Sequence, residues 1–307
     1  MSSALSRHAE DYLRLRRALG FKLERAGRLL PQLVAFLETA GAATITSDAA
    51  IAWARLPQRA HPNHWAQRLA IARGFARYLQ TIDPATEVPP PGVFPTHRHR
   101  PAPYLWSQDE ICRLIEGARA LRSPLRAATH AALFGLLATS GVRIGEAIGL
   151  ERADVDLGAG VVTIREAKLD RARLVPLHPS TTEALRRYAA ERDQLCPRPR
   201  SDAFFLSGAG TALDRSGVGK TFRTITTAIG VRTATVHPRV HDLRHSFAVD
   251  TLIRWYRCGV DVEERIGALS VYLGHVSPAD TYWYLSASPQ LMALAADRLH
   301  VRYGAGQ

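Results

Sequence analysis

Lysine is almost absent from this chain. Of its 40 basic residues only Lys22, Lys168 and Lys220 are lysines, and the other 37 are arginines. Arginine offers flat, bidentate donors to phosphate but does not release its proton in ordinary chemistry, so each retained lysine raises the question of why arginine would not serve. Cysteine is scarce as well. Cys112, Cys196 and Cys258 are scattered and odd in number, which excludes a disulfide framework and any cysteine-based metal spacing. A reduced, cytoplasmic setting follows as the expectation. No apolar run is long enough to span a bilayer, and Met1 to Glu10 lack the apolar core of a secretion signal.

What is present is positive charge. The chain has 307 residues, a formal net charge of +12, 46% apolar and 22% charged residues. The composition is that of an ordinary globular protein and the length suggests two domains. The charge favours a polyanion, nucleic acid above all, as partner. Residues 1–100 hold 14 Lys and Arg against 7 Asp and Glu, a net of +7, while residues 101–307 hold 26 against 21, a net of +5. The smaller N-terminal part is the more strongly basic.

Residues 5–82 read as helical. Leu13, Leu15, Leu19, Leu29, Leu30, Leu33, Val34, Phe36 and Leu37 recur at spacings of three and four. Gly41 ends that stretch, Ser47 caps a short helix, and a further helix from about Pro62 to Leu79 carries Arg68, Arg73 and Arg77 on its polar side. The expected domain is a bundle of four or five helices over 1–83. Residues 84–103 contain seven prolines and the basic run His97-Arg98-His99-Arg100. They predict a linker, either a solvated tether or a strap laid across an anion. Residues 104–307 form the second domain. It opens with a capping box, Ser107 to Glu110, followed by an apolar helix at 125–139. Val161–Ile164 and Leu174–Leu177 read as two strands around a polar turn, and Ala203–Leu206 as a further short strand. The remainder reads as helix at about 216–229, 240–258, 261–272 and 288–300. The fold class is mainly α with a small antiparallel sheet.

Three short motifs carry chemistry. In Thr139-Ser140-Gly141-Val142-Arg143-Ile144-Gly145-Glu146 a helix ends at glycine and Arg143 opens the next, where free N–H groups favour an anion and Glu146 lies one turn on to orient the guanidinium. In His241-Asp242-Leu243-Arg244-His245 the spacing of three puts His241 and Arg244 on one helix face, with His245 pointing elsewhere. In Leu273-Gly274-His275 the glycine suits a tight helix end, and Tyr282 and Tyr284 follow. Each motif alone is weak. Gly217-Val218-Gly219-Lys220-Thr221 has the look of a phosphate-binding loop, but Asp214 stands where that motif needs glycine, so a turn into a helix is expected.

Taken together and in order, the motifs resemble the tyrosine recombinase (phage integrase) family over roughly 104–300, and the N-terminal part resembles that family's core-DNA-binding domain. The resemblance implies a catalytic set of Arg143, Lys168, His241, Arg244, His275 and Tyr284. Arg143, Arg244 and His275 would hold the scissile phosphate, His241 would take the tyrosine proton, and Lys168, in the turn between the two strands, would protonate the leaving oxygen. The family's spacing selects Tyr284 over Tyr282 as nucleophile. No metal or cofactor is implied. The stretch from Arg244 to Leu273 is several residues longer than the family usually shows, with the excess within Ile253 to Gly267. Within bacteria the chain resembles a mobile-element recombinase more than a chromosome-dimer resolvase.

The implied function is site-specific recombination of double-stranded DNA, by a homo-tetramer assembled on DNA from a monomer or weak oligomer, with partner recombinases allowed. The implied location is the cytoplasm, at the nucleoid, with no membrane association. The C-terminal segment Ser288 to Leu299 reads either as a helix packed on its own domain or, by the family analogy, as one that docks on a neighbouring protomer. Two alternatives compete: a catalytically silent DNA-binding relative and a relaxing topoisomerase of similar chemistry. Arg68, Arg73, Arg77, Arg98, Arg100 and Arg173 are the expected DNA contacts.

Overall fold

The computed structural model describes residues 3–95, 102–166, 171–275, 277, 279–286 and 288–303. The chain divides into two compact units, 1–100 and 101–307.

The first unit is a bundle of four helices: α1 (Ala4–Ala18), α2 (Glu24–Thr39), α3 (Ser47–Arg55) and α4 (Pro62–Gln80). Side chains fix the helix starts. The Ser3 hydroxyl accepts from Ser6 N at 3.0 Å, and Thr46, not Ser47, caps α3 by accepting from Ala49 N at 3.2 Å. Leu30, Leu33, Leu37, Trp53, Phe75 and Leu79 meet in the centre. The predicted helical bundle is thus present, with one correction on its surface. Arg68 does not lie on a polar face but is buried with the core, its guanidinium 3.9 Å above the Trp53 ring and donating to the Trp53 carbonyl at 3.0 Å. The proline-rich segment is also not a free tether as far as residue 95. Phe94 is buried in the bundle, and Arg73 donates to the carbonyls of Pro89 at 2.7 Å and Pro90 at 2.6 Å. Arg77 is exposed. Arg98 and Arg100 lie outside the described residues.

The second unit begins with α5 (Gln108–Arg119), whose Ser107–Glu110 capping box is formed as expected, and α6 (Pro124–Ser140). Next come α7 (Ile144–Ile148) and an antiparallel sheet of β1 (Val155–Asp156), β2 (Val161–Glu166) and β3 (Arg171–Pro176), in that spatial order. After α8 (Pro179–Leu195) the run Ala203–Leu206 makes only isolated bridges, Glu151 to Ala203 and Leu206 to Ala212. Adjacent Phe204 and Phe205 are both buried, which an alternating two-faced strand would not allow. The sheet's third strand is instead β1, too short to read in the sequence. Then follow α9 (Arg215–Ala228), α10 (Val240–Arg257), α11 (Val262–Leu273), the short α12 (Ala279–Tyr282), a 3-10 turn (Trp283–Ser286) and α13 (Pro289–Tyr303). Asp214 caps α9 by accepting from Gly217 N at 2.8 Å, so the glycine-lysine run is a helix start, as expected. The stretch from Arg244 to Leu273 is built from the rest of α10, the turn at Gly259 and α11.

The core lies between α5, α6 and α8, the sheet and α9. A second cluster joins α10, α11, the 3-10 turn and α13. Within this single chain α13 packs on its own domain. Leu291 is fully buried there, and Arg298 donates to the carbonyls of Val260 at 2.7 Å and Gly259 at 3.1 Å. Among the described residues no helix is long and apolar enough to cross a membrane.

Candidate active site

Two helices end at glycine, and both ends face the same place. Gly141 closes α6 with φ 62° and Gly274 closes α11 with φ 66°, the left-handed conformation that glycine adopts without steric penalty. Neither position has room for more. A Cβ at Gly141 would stand 2.5 Å from the Phe247 ring, and one at Gly274 2.6 Å from the Arg173 guanidinium.

The carbonyls left open at these helix ends are taken by arginines. Arg244, on α10 and only 2% exposed, donates to Gly141 O at 2.7 Å and Leu273 O at 2.8 Å. Arg143 donates to Gly274 O at 2.5 Å and to Glu146 Oε1 at 2.7 Å, while its backbone N–H donates to Glu146 Oε2 at 2.8 Å. Arg173, on β3, donates to the same Oε2 at 2.7 Å and to Tyr272 O at 3.2 Å. The consecutive carbonyls of Tyr272, Leu273 and Gly274 thus each receive a different arginine. Glu146 stays ionised, held well below the usual carboxylate range against its burial by Arg173 and Arg143.

The reactive groups sit over this frame. Tyr284 is 2% exposed. Burial raises its phenol above the ordinary value, opposed by the charges of the nearby Arg244 and Arg143 guanidiniums. The His275 ring stacks on Tyr284 with centroids 5.9 Å apart, and its Nδ1 lies 2.6 Å from the hydroxyl of buried Thr281. His241 keeps part of its surface open to solvent. Desolvation, then the Arg244 charge, hold both His241 and His275 down at about 4, so both imidazoles are neutral at neutral pH. Arg244 is itself lowered, by burial and by the charge of Arg143. Arg143 and Arg173 share the Glu146 carboxylate, Arg244 is bonded to backbone carbonyls, and the Asp280 charge also acts on Tyr284 and His275, so charged groups of both signs surround the phenol.

Of the sequence-predicted set, Arg143, His241, Arg244, His275 and Tyr284 come together. Lys168 lies outside the described residues; the strands on either side of it, β2 and β3, are described. Tyr282 is 48% exposed and is not among the rings packed around Tyr284. Two assignments change. His245 does not point elsewhere: it stands between His241 and Tyr284, centroids 4.6 and 5.5 Å away, and also meets Trp283 at 5.2 Å. Arg173 is turned inward, its side chain 12% exposed, rather than outward as a DNA contact. The strand alternation held that signal, because Arg173 shares a face with fully buried Val175 whereas Leu174 is 66% exposed. Thr281 carried no signal in the sequence.

Residues 106–290 match the model of the phage integrase family. The chain belongs to this family of tyrosine recombinases. It is 45% identical over 98% of its length, and 98% of the relative's, to a protein named as an integrase/recombinase, y4rB, from Sinorhizobium fredii. It is 31% identical to the tyrosine recombinase XerC of Azotobacter vinelandii, over 81% of this chain and 78% of that one. Among solved structures its fold resembles that of an integrase of the transposon Tn1549 in complex with a circular intermediate DNA, with TM-score 0.65, 15% identity and coverage of 95% and 99%. It also resembles that of the XerA recombinase, with TM-score 0.52, 22% identity and coverage of 97% and 98%. The chain is therefore a DNA strand-transferring enzyme of the site-specific recombinase type. Neither a silent DNA-binding partner nor a relaxing topoisomerase is favoured by these relatives.

Proposed function

We propose that this recombinase cleaves and rejoins DNA through a 3′-phosphotyrosyl link to Tyr284, as an enzyme of a mobile element. The observation that carries this reading is the gathering of Arg143 and Arg244 beside a buried phenol, with the Glu146 carboxylate shared between Arg143 and Arg173. Such a site favours an added anion, and a phosphodiester supplies one.

The chemistry follows from the groups. The Tyr284 oxygen attacks phosphorus while its proton passes to neutral His241. Arg143 and Arg244 neutralise the charge that builds on the non-bridging oxygens, and His275 donates to the same phosphate. The bond from phosphorus to the 5′-oxygen breaks, and Lys168 gives that oxygen its proton, which an arginine would not release. A 5′-hydroxyl from another strand reverses these steps. The link conserves the energy of the phosphodiester, so rejoining needs no external source.

Exchange between two duplexes takes four such sites, and we assign the work to a homo-tetramer assembled on DNA in the cytoplasm, at the nucleoid. The basic N-terminal unit, with Arg77 exposed on α4, would hold the duplex. The test is a nicked duplex, taken from DNA flanking the gene, that loses its cleaved fragment and traps the covalent complex. Wild type and Tyr282→Phe should trap, and Tyr284→Phe should bind without trapping. A trapped complex in Tyr284→Phe would remove the assignment.

A further inference from the structure

We propose that Arg173 is a positioning residue that sets the orientation of Arg143 by sharing its carboxylate. The inference rests on the role just given to Arg143. Glu146 has two oxygens and serves two guanidiniums. Oε1 accepts from Arg143, and Oε2 accepts from Arg173 as well as from the backbone of Arg143. A carboxylate held from one side only can rotate about its last bond, and the guanidinium bonded to it would rotate with it. Arg173 blocks that motion because it is anchored on a different element, with its Nε on the Tyr272 carbonyl at the end of α11.

The surroundings are shaped for this bridge. Gly274 carries no Cβ, and one placed there would stand 2.6 Å from Arg173 Nη1 and 2.7 Å from its Cζ. The close passage of the guanidinium over the Gly274 backbone is therefore possible only at glycine. That same residue gives its carbonyl to Arg143 and precedes His275. Arg173 thus binds three pieces of the site together: the sheet, the carboxylate that orients Arg143, and the turn that presents His275. Lysine could supply the charge but not the fork, since one ammonium is a point donor and the two acceptors lie on separate elements.

A contact to DNA and a role through Arg143 predict different measurements. The probe is a nicked duplex with either an ordinary scissile phosphate or a methylphosphonate there, which has lost the charge that Arg143 neutralises. Strand cleavage is measured at saturating DNA, and affinity is measured as a function of salt. Arg173→Met and Arg173→Lys should bind with wild-type affinity and salt slope. Both should cleave the ordinary phosphate about 10- to 100-fold more slowly, the order expected when a catalytic group is misplaced by about an ångström. On the methylphosphonate their deficit should shrink to within about threefold of wild type, as should that of Arg143→Ala, because the displaced group is no longer needed there. Equal deficits on both substrates would reduce Arg173 to a general structural part and overturn the proposal. So would a weakened affinity with a salt slope lowered by about one and an unchanged cleavage rate, the mark of a lost phosphate contact. Full activity in Arg173→Lys would overturn the bridging geometry. Should Arg173→Met not fold, Arg173→Lys carries the same comparison. A wild-type protein that forms no covalent complex would sink the underlying reading along with this one. A wild-type complex with normal cleavage by Arg173→Met would sink this one alone.

Discussion

The charge of the Arg244 guanidinium acts on the buried Tyr284 phenol within one chain, drawing it down against its burial. The group that is to act on the phosphate thus already acts on the attacking oxygen. The Arg244 guanidinium is also a structural clamp, since it joins the end of α6 to the end of α11 through Gly141 O and Leu273 O. Arg244→Lys keeps the charge and loses at least one of these buried acceptors. An unpaired buried carbonyl costs about 1–3 kcal/mol. In a domain of this size each kcal/mol lowers Tm by roughly 2–4 °C. The variant should therefore melt a few degrees lower, still bind DNA, and trap the covalent complex far more slowly. Unchanged melting would show that the clamp contributes nothing to the fold.

Lys168 is tested by removing the need for its proton. A sulfur in place of the leaving 5′-oxygen departs without protonation, because a thiolate is a far better leaving group than an alkoxide. Lys168→Ala should cleave the ordinary strand very slowly and the sulfur-bridged strand at close to the wild-type rate. Slow cleavage of both would assign the acid to another group. Arg143→Ala should gain nothing from sulfur, since its task concerns the non-bridging oxygens.

The helical N-terminal unit and the five-residue gathering around Tyr284 were legible in the sequence because helical periodicity and motif order are local signals. What was not legible depended on the direction of single side chains. Arg68 looked like a surface charge, yet it sits four and seven residues before buried Ala72 and Phe75, on the core face of α4. Composition outweighed position there. Adjacency to Arg244 suggests that His245 faces away, but a helix of 3.6 residues per turn puts it one turn above His241, on the face that the 3-10 turn with Tyr284 covers. The docking of α13 on its own domain depends on packing against α10 and on Arg298 reaching the Gly259 turn, contacts with no local pattern.

The burial of Arg68 separates two arginines that the sequence treats alike. Arg68→Met removes a cation held over Trp53 and a charged donor to its buried carbonyl, which keeps only the Leu56 N–H. It should destabilise the N-terminal unit by about 1–3 kcal/mol in chemical denaturation. Its effect on DNA affinity should track that loss of folded protein. Arg77→Ala changes an exposed side chain and should leave the denaturation midpoint unmoved. If Arg77 contacts phosphate, its loss lowers the slope of log affinity against log salt by about one, and an unchanged slope would remove it from the interface.

The histidines set the pH response. His241 and His275 are held at about 4 in the folded chain, and His130, buried in α6 with its Nδ1 on Arg126 O, is also lowered by burial. In the unfolded chain each titrates near 6.5. A depressed folded value means that the unfolded state binds the proton more readily. The stability these neutral rings contribute is complete above about pH 6.5 and falls as pH drops from there toward about 4. Tm should therefore be level above neutrality and decline through the mildly acidic range, less steeply in His130→Phe, which keeps the ring and loses the titration. Cleavage at limiting DNA reports the free enzyme, so its rate should not show the ordinary imidazole limb near 6.5, and should hold down to the pH at which folding fails. DNA binding should reverse part of this. A bound phosphate neutralises the field of Arg244 and Arg143, and the NMR titration of both rings should move up when a DNA duplex is added to Tyr284→Phe. Imidazoles already titrating near 6.5 in the free protein would show that the arginine charge does not reach them.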